Sequence, residues 1–173
     1  KKENQLVTKG IEVGHIFYFG DKYSKPLNAN VDLQGGKKIS VKMGSYGIGV
    51  SRLVAAIIEA KFNNNIMKWP ISVSPYEVAI IPMISKNDNS NLTKSLKIYK
   101  ELIKRNIDVL LDDTDENISA KIKKFNLIGI PYQIIIGQKS KGDLFEFKEI
   151  DKEAQNLSID KVVQKLTKEK NSV

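Results

Sequence analysis

The 173-residue sequence has no cysteine, a single histidine (His15), a single tryptophan (Trp69), and only two arginines, Arg52 and Arg105, among 28 basic residues. Without cysteine, disulfides and thiolate metal centres are excluded. One histidine argues against a histidine metal site and against a serine triad, so no metal-binding residues are expected. No apolar run reaches the roughly 20 residues of a membrane span. The polar, lysine-containing start has no signal-peptide core. The expectation is a cytoplasmic protein with no membrane partner.

The hydrophobic content of 41% suffices for one ordinary soluble domain or two small ones. The net charge of +8 is uneven: residues 1–74 carry 11 basic and 5 acidic groups, residues 75–173 carry 17 and 15. An excess of positive charge at the front suits an anionic ligand such as a nucleotide or RNA, although a lysine-rich solvated surface is the commoner explanation.

The densest pattern lies between Met43 and Lys61. Gly47 and Gly49 alternate with Tyr46, Ile48 and Val50 at strand period, leaving one face bare for a flat ligand. From Ser51 the period becomes helical, with Leu53, Val54, Ile57 and Ile58 on one side, so Arg52 falls in the first turn beside the glycines. In a chain that otherwise uses lysine, an arginine here suggests a planar fork for phosphate. The competing reading makes Arg52 a surface helix residue and the glycines mere packing devices.

Gly47-Ile48-Gly49-Val50-Ser51-Arg52 followed by an apolar helix resembles motif 3 of the class II aminoacyl-tRNA synthetases. The resemblance implies that Gly47 and Gly49 form the adenine floor and that Arg52, the catalytic candidate, grips the triphosphate of ATP.

Upstream, Ile11, Val13, Ile16, Phe17 and Phe19 read as a strand with buried faces that ends at the Gly20-Asp21 turn. Glu12 and His15 are polar groups on it, either satisfied locally or forming a recognition pocket in which a carboxylate holds an ammonium and a histidine a carboxylate or ribose. The run Glu12-Val13-Gly14-His15-Ile16-Phe17, continuing to Gly20-Asp21-Lys22-Tyr23-Ser24, is similar to a segment of the bacterial-type prolyl-tRNA synthetases. That similarity makes Glu12, His15 and Phe17 candidates for the proline pocket. Gly35-Gly36 marks a hairpin leading into the glycine strand.

A polar cluster at 62–67, then Lys68-Trp69-Pro70 and Ser74-Pro75, reads as a domain boundary with Trp69 packing the junction. Beyond it, an apolar strand at Val78–Pro82 and an Asn89-Ser90 cap signal precede a helix with Leu92, Leu96, Tyr99 and Ile103 on one face. Then follow a strand at Ile107–Leu111, a helix bearing Ile118, Ile122 and Phe125, strands at Tyr132–Ile136 and Leu144–Phe147, and a helix capped by Ser158. This order implies an α/β sheet, at least partly parallel. Asp112, Asp113 and Gly137 fall at the carboxyl ends of its strands, where open α/β sheets bind ligands. Lys121, Lys123 and Lys124 are placed to touch phosphates. The acidic residues there would repel RNA unless they accept hydrogen bonds from bases, and Asp115 and Glu116 also suit a helix N-terminus.

Pro75-Tyr76-Glu77-Val78, Leu110-Leu111-Asp112-Asp113 and Leu127-Ile128-Gly129-Ile130-Pro131 resemble the anticodon-binding domain of the same synthetases. The resemblance implies anticodon or tRNA contacts at Asp113, Lys121, Lys124 and Asn126. Thr114 stands where that family commonly has arginine, Asn126 where it has glutamate, and Asn117–Ala120 lacks the usual proline-glycine turn.

The expected fold class is α/β, or α+β overall: residues 1–70 as the end of a class II antiparallel catalytic sheet, residues 75–173 as an anticodon-binding domain with a mixed sheet. The resemblance implies ligation of proline to tRNA(Pro), with ATP as substrate, Mg2+ accompanying it, no tightly bound cofactor, and a homodimer. Motifs 1 and 2 and an editing domain are absent, so the expectation is a C-terminal portion inactive by itself. A free-standing tRNA-binding or accessory module and an inactive remnant are the alternatives. Residues 1–70, with strands belonging to a larger sheet, are expected to be marginal alone.

Overall fold

The computed structural model describes residues 5–85, 88–137, 140 and 142–170, and falls into two compact units, 1–57 and 58–173.

In the first unit, β1 (Gly14–Gly20) pairs antiparallel with β4 (Met43–Ile48). His15 faces Gly47 and Ile16 faces Tyr46, and a bulge interrupts the register between Tyr18 and Gly20. β2 (Asn30–Asp32) and β3 (Lys38–Ser40) form a hairpin whose turn places Gly35 and Gly36 at φ 93° and 75°, conformations that favour glycine. Helix α1 (Val50–Lys61) starts two residues after β4 and carries its last turn into the second unit.

The expected burial of the first strand is not found. Ile16 is 82% exposed, Tyr46 82% and Phe17 46%, and α1 has no buried residue. A two-stranded ribbon has no second layer to cover its faces, so alternating apolar residues meet water on both sides. Among the described residues of this unit only Ser24 is buried.

The second unit is a five-stranded sheet in the order β6-β5-β7-β8-β9. β5 (Val78–Pro82), β6 (Val109–Leu111) and β7 (Tyr132–Ile136) are parallel; β8 (Phe145–Glu149) and β9 (Gln155–Leu157) are antiparallel additions. The sheet is therefore mixed. Every residue of β5 and β7 is buried, as expected for central strands covered on both faces. Strand alternation divides the core. Val78, Ile80, Ile134 and Phe147 pack against Ile98 and Leu102 of α2 (Ser90–Lys104) and Val162 and Leu166 of α4 (Ile159–Lys170). Ala79, Ile81 and Ile135 pack against Phe125 of α3 (Ile118–Ile128).

Three details depart from the sequence reading. The buried face of α2 is Ser95, Ile98 and Leu102; of the expected stripe Tyr99 packs against the same core, while Leu96 and Ile103 are exposed. Both sets recur at helical spacing, and contact with the sheet selects between them. Asn89 gives no side-chain cap; Asp88 accepts the Ser90 N–H instead, at 2.8 Å. β9, only three residues of polar character (Gln-Asn-Leu), carries no strand signal.

The segment Met67–Pro70 is stitched to the end of α3. Met67 N–H donates to Asn126 O (2.9 Å), Trp69 N–H to Gly129 O (3.1 Å) and the Trp69 indole to Ile128 O (2.9 Å). These bonds satisfy carbonyls that a helix end otherwise leaves open. Gly129 closes α3 at φ 85°, and a Cβ there would lie 2.9 Å from Met67 O, so both conformation and space require glycine.

Candidate functional site

In the first unit, the β1–β4 ladder and the start of α1 bring together all six nucleotide-side and proline-side candidates. Gly49 N–H donates to Val13 O at 2.9 Å, which anchors the turn into α1 and lays Arg52 over the chain ahead of β1. Arg52 Nη1 donates to Glu12 O at 2.9 Å and lies 3.5 Å from Glu12 Oε1. His15 Nδ1 is 3.6 Å from Glu12 Oε2, and the imidazole stacks on Phe17 at 4.1 Å with 6° between planes. Glu12, His15 and Arg52 are more than half exposed, so the Arg52–Glu12 ion pair is screened and these contacts hold their groups only loosely. Arg52 Nη2 and Nε have no protein acceptor among the described residues, leaving most of the guanidinium fork available.

The two glycines differ. A Cβ at Gly49 would sit 3.2 Å from Arg52 Cβ, so Gly49 is a packing glycine that lets the arginine fold back. A Cβ at Gly47 would meet nothing within 4 Å. Packing does not require glycine at 47, and the bare backbone opposite His15 is a flat surface beside a cation. Among the described residues no three His, Asp or Glu side chains converge.

In the second unit, the carboxyl ends of β5 and β6 and the start of α3 frame the loop 112–117. Asp112 is buried. Its Oδ1 accepts from Thr114 N (3.0 Å) and Thr114 Oγ1 (2.5 Å), and its Oδ2 lies 2.9 Å from Lys124 Nζ. Burial alone would raise its pKa, but the bonds from Lys124 and Thr114 and the nearby Lys121 charge prevail and hold it at about 2. Lys124, half exposed, also reaches Glu116 at 3.0 Å, and this pair of carboxylates raises its pKa. Asn117 caps α3 by accepting from Ala120 N–H at 2.9 Å.

Lys121 requires a correction. Its side chain is 0% exposed, and its ammonium donates to Thr114 O (2.6 Å), Pro82 O (3.2 Å) and Asp112 O (3.3 Å). Helical periodicity turns it inward with Phe125, its neighbour one turn on, so it does not reach a phosphate. Asp113 is exposed. Asn126 is half-buried and accepts from Gln133 Nε2 at 3.1 Å. Gln133 itself is fully buried on β7, a polar residue that sequence reading left inside an apolar strand without a role. Thr114 was legible only as a departure, although the spacing Asp112-x-Thr114 is that of an Asx turn and carried the signal.

The family model described as Anticodon binding domain matches residues 77–169. The chain is 66% identical over 171 residues to a protein of Pelagibacter ubique named proline--tRNA ligase, covering 98% of this chain and 38% of that protein. It is 50% identical over 139 residues to the proline--tRNA ligase of Wolbachia sp. subsp. Brugia malayi (80% and 32%), and 48% identical over 138 residues to that of Parvibaculum lavamentivorans (80% and 31%). The chain thus spans about a third of the length of these relatives.

Proposed function

This chain belongs to the anticodon binding domain family, and we propose on that premise that it is the C-terminal part of a proline–tRNA ligase. In this reading residues 75–173 read tRNA(Pro), and residues 1–70 supply one wall of the site where ATP and proline react. The observation that carries it is identity of 66% sustained over 98% of the chain, which takes in the glycine–arginine turn as well as the anticodon-binding region.

The reaction joins a proline carboxylate oxygen to the α-phosphorus of ATP with loss of pyrophosphate, and the prolyl group then passes from that adenylate to a hydroxyl of tRNA with AMP as the leaving group. Gly47 offers backbone against which adenine lies flat. Arg52 directs its remaining N–H groups at the phosphates, where fixed positive charge stabilises the charge that develops as pyrophosphate leaves. Glu12 attracts the proline ammonium, and the His15–Phe17 stack supplies an apolar wall with a polar edge. Mg2+ enters with the nucleotide. In the other part Asp113, Lys124 and Asn126 lie along the RNA face. The whole enzyme is a homodimer in the cytoplasm.

A second reading, a tRNA-binding module without ligase chemistry, draws on the uneven burial: the core lies in residues 67–166, whereas α1 and the ribbon bury almost nothing. ATP- and proline-dependent pyrophosphate exchange separates the two. The chain alone is expected to be inactive. Mixed with a polypeptide comprising the remainder of the Pelagibacter ubique relative, it should gain activity that Arg52→Ala abolishes. No exchange on mixing, with tRNA binding retained, would favour the module.

A further inference from the structure

Burying an ammonium is costly, and an apolar side chain of similar length would stabilise the same spot as well or better. The position of Lys121 therefore calls for a reason other than stability. Its Nζ joins three backbone carbonyls from two segments, Pro82 at the end of β5 and Asp112 and Thr114 after β6, and stands 3.5 Å from Asp112 Oδ1. Asp112 in turn holds the Thr114 backbone and hydroxyl, and Lys124 bridges Asp112 to Glu116. Asn117 is held by the α3 cap. Between 112 and 117, then, every other residue is tied down. Asp113 and Asp115 are the exposed residues of this loop whose side chains have no partner among the described residues.

We propose that Lys121 is a positioning residue for base discrimination, locking the 112–117 loop in one shape so that Asp113 and Asp115 meet base-edge donors at fixed positions while Lys121 itself never touches RNA. This rests on the tRNA-reading function proposed above. A free loop of this length would present the same carboxylates in many arrangements, and the ordering cost would fall on every complex alike; a locked loop accepts one arrangement of donors and rejects others.

The test uses the 173-residue chain and a tRNA(Pro) transcript, with transcripts singly substituted at each anticodon position, each titrated across a salt series. The wild-type chain should prefer the unsubstituted transcript by about tenfold or more at one position or another, the scale of a lost base contact. Lys121→Met should bring that preference to within about twofold while leaving the salt slope unchanged. A lysine that contacts phosphate would instead lower the slope by about 0.7–1 and spare the preference. Reduced folding alone would weaken all transcripts equally and leave the ratio intact.

Thr114→Val removes only the hydroxyl bond to Asp112 at an exposed position and should lower the preference in the same direction by a smaller factor. If Lys121→Met does not fold, as judged by circular dichroism, Thr114→Val decides. Preference retained in the folded variant, with or without a change in slope, overturns the positioning role. If the wild-type chain binds no tRNA or binds all transcripts equally, the tRNA-reading function fails first and takes the positioning role with it.

Discussion

Replacing Asp112 by asparagine should destabilise the second unit at neutral pH, and the loss should fade with acid. The folded carboxyl titrates at about 2 against an ordinary 3.8, a difference worth about 2 kcal/mol. Its folded pKa is depressed, so this stability is fully present above the unfolded value of 3.8. It is lost as pH falls through about 2. The substitution also leaves the Lys121 ammonium buried without a counter-charge, and breaking one side of a buried pair brings the total to about 3–5 kcal/mol at pH 7. Trp69 is the only tryptophan and hydrogen-bonds to the end of α3. Its fluorescence during urea unfolding therefore reports this unit. Many other carboxylates titrate in the same range, but they cancel when wild type and Asp112→Asn are compared at each pH. The free-energy gap should shrink by about 2 kcal/mol between pH 6 and pH 2. A gap below about 1 kcal/mol at pH 7, or one that does not vary with pH, would refute the account of Asp112 as the anion that holds this loop.

Gly129→Ala should cost about 2–4 kcal/mol, since it adds a left-handed conformation for alanine to a clash with the Met67 backbone; a urea midpoint close to that of wild type would count against it. Amide exchange should be slowest in β5 and β7 and much faster in β1 and β4, because the central strands are covered on both faces and the ribbon on neither. Equal protection across the two units would show that the ribbon is covered after all. In the mixture of this chain with the remainder of the Pelagibacter ubique relative, Arg52→Lys should lower the expected pyrophosphate exchange by about 10²–10³-fold through loss of the planar fork, whereas an effect under about threefold would remove Arg52 from the proposed phosphate site.

Much of the second unit could be read along the chain because its determinants are local. Val78–Pro82 and Tyr132–Ile136, the latter apolar but for Gln133, stand out as strands, and Ile118, Ile122 and Phe125 mark the helix between them. Hydrophobic period alone indicates elements of this kind, since it reflects which residues leave water together. The period does not say which of two helical stripes meets the sheet, and α2 was decided by contact rather than by pattern. β9 was invisible for a related reason: a short polar edge strand exists only because β8 is already there to pair with it.

The candidate sites divide in the same way. Gly47, Gly49 and Arg52 are adjacent in sequence, so a strand-turn-helix was enough to bring glycine floor and cation together. The meeting of Arg52 with Glu12, forty residues earlier, follows from the antiparallel register that sets His15 against Gly47. Lys121 is the sharpest contrast. Its charge and its place near the Asp-Asp pair were plain from the sequence, but whether it faces solvent or the strand ends depends on how α3 is rotated on the sheet. Phe125 sets that rotation by burying its ring against Ala79, Ile81 and Ile135, and the rotation carries the Lys121 ammonium inside with it. Sequence determined which chemical groups lie near one another along the chain; only tertiary packing decided which of them water, and hence a ligand, can reach.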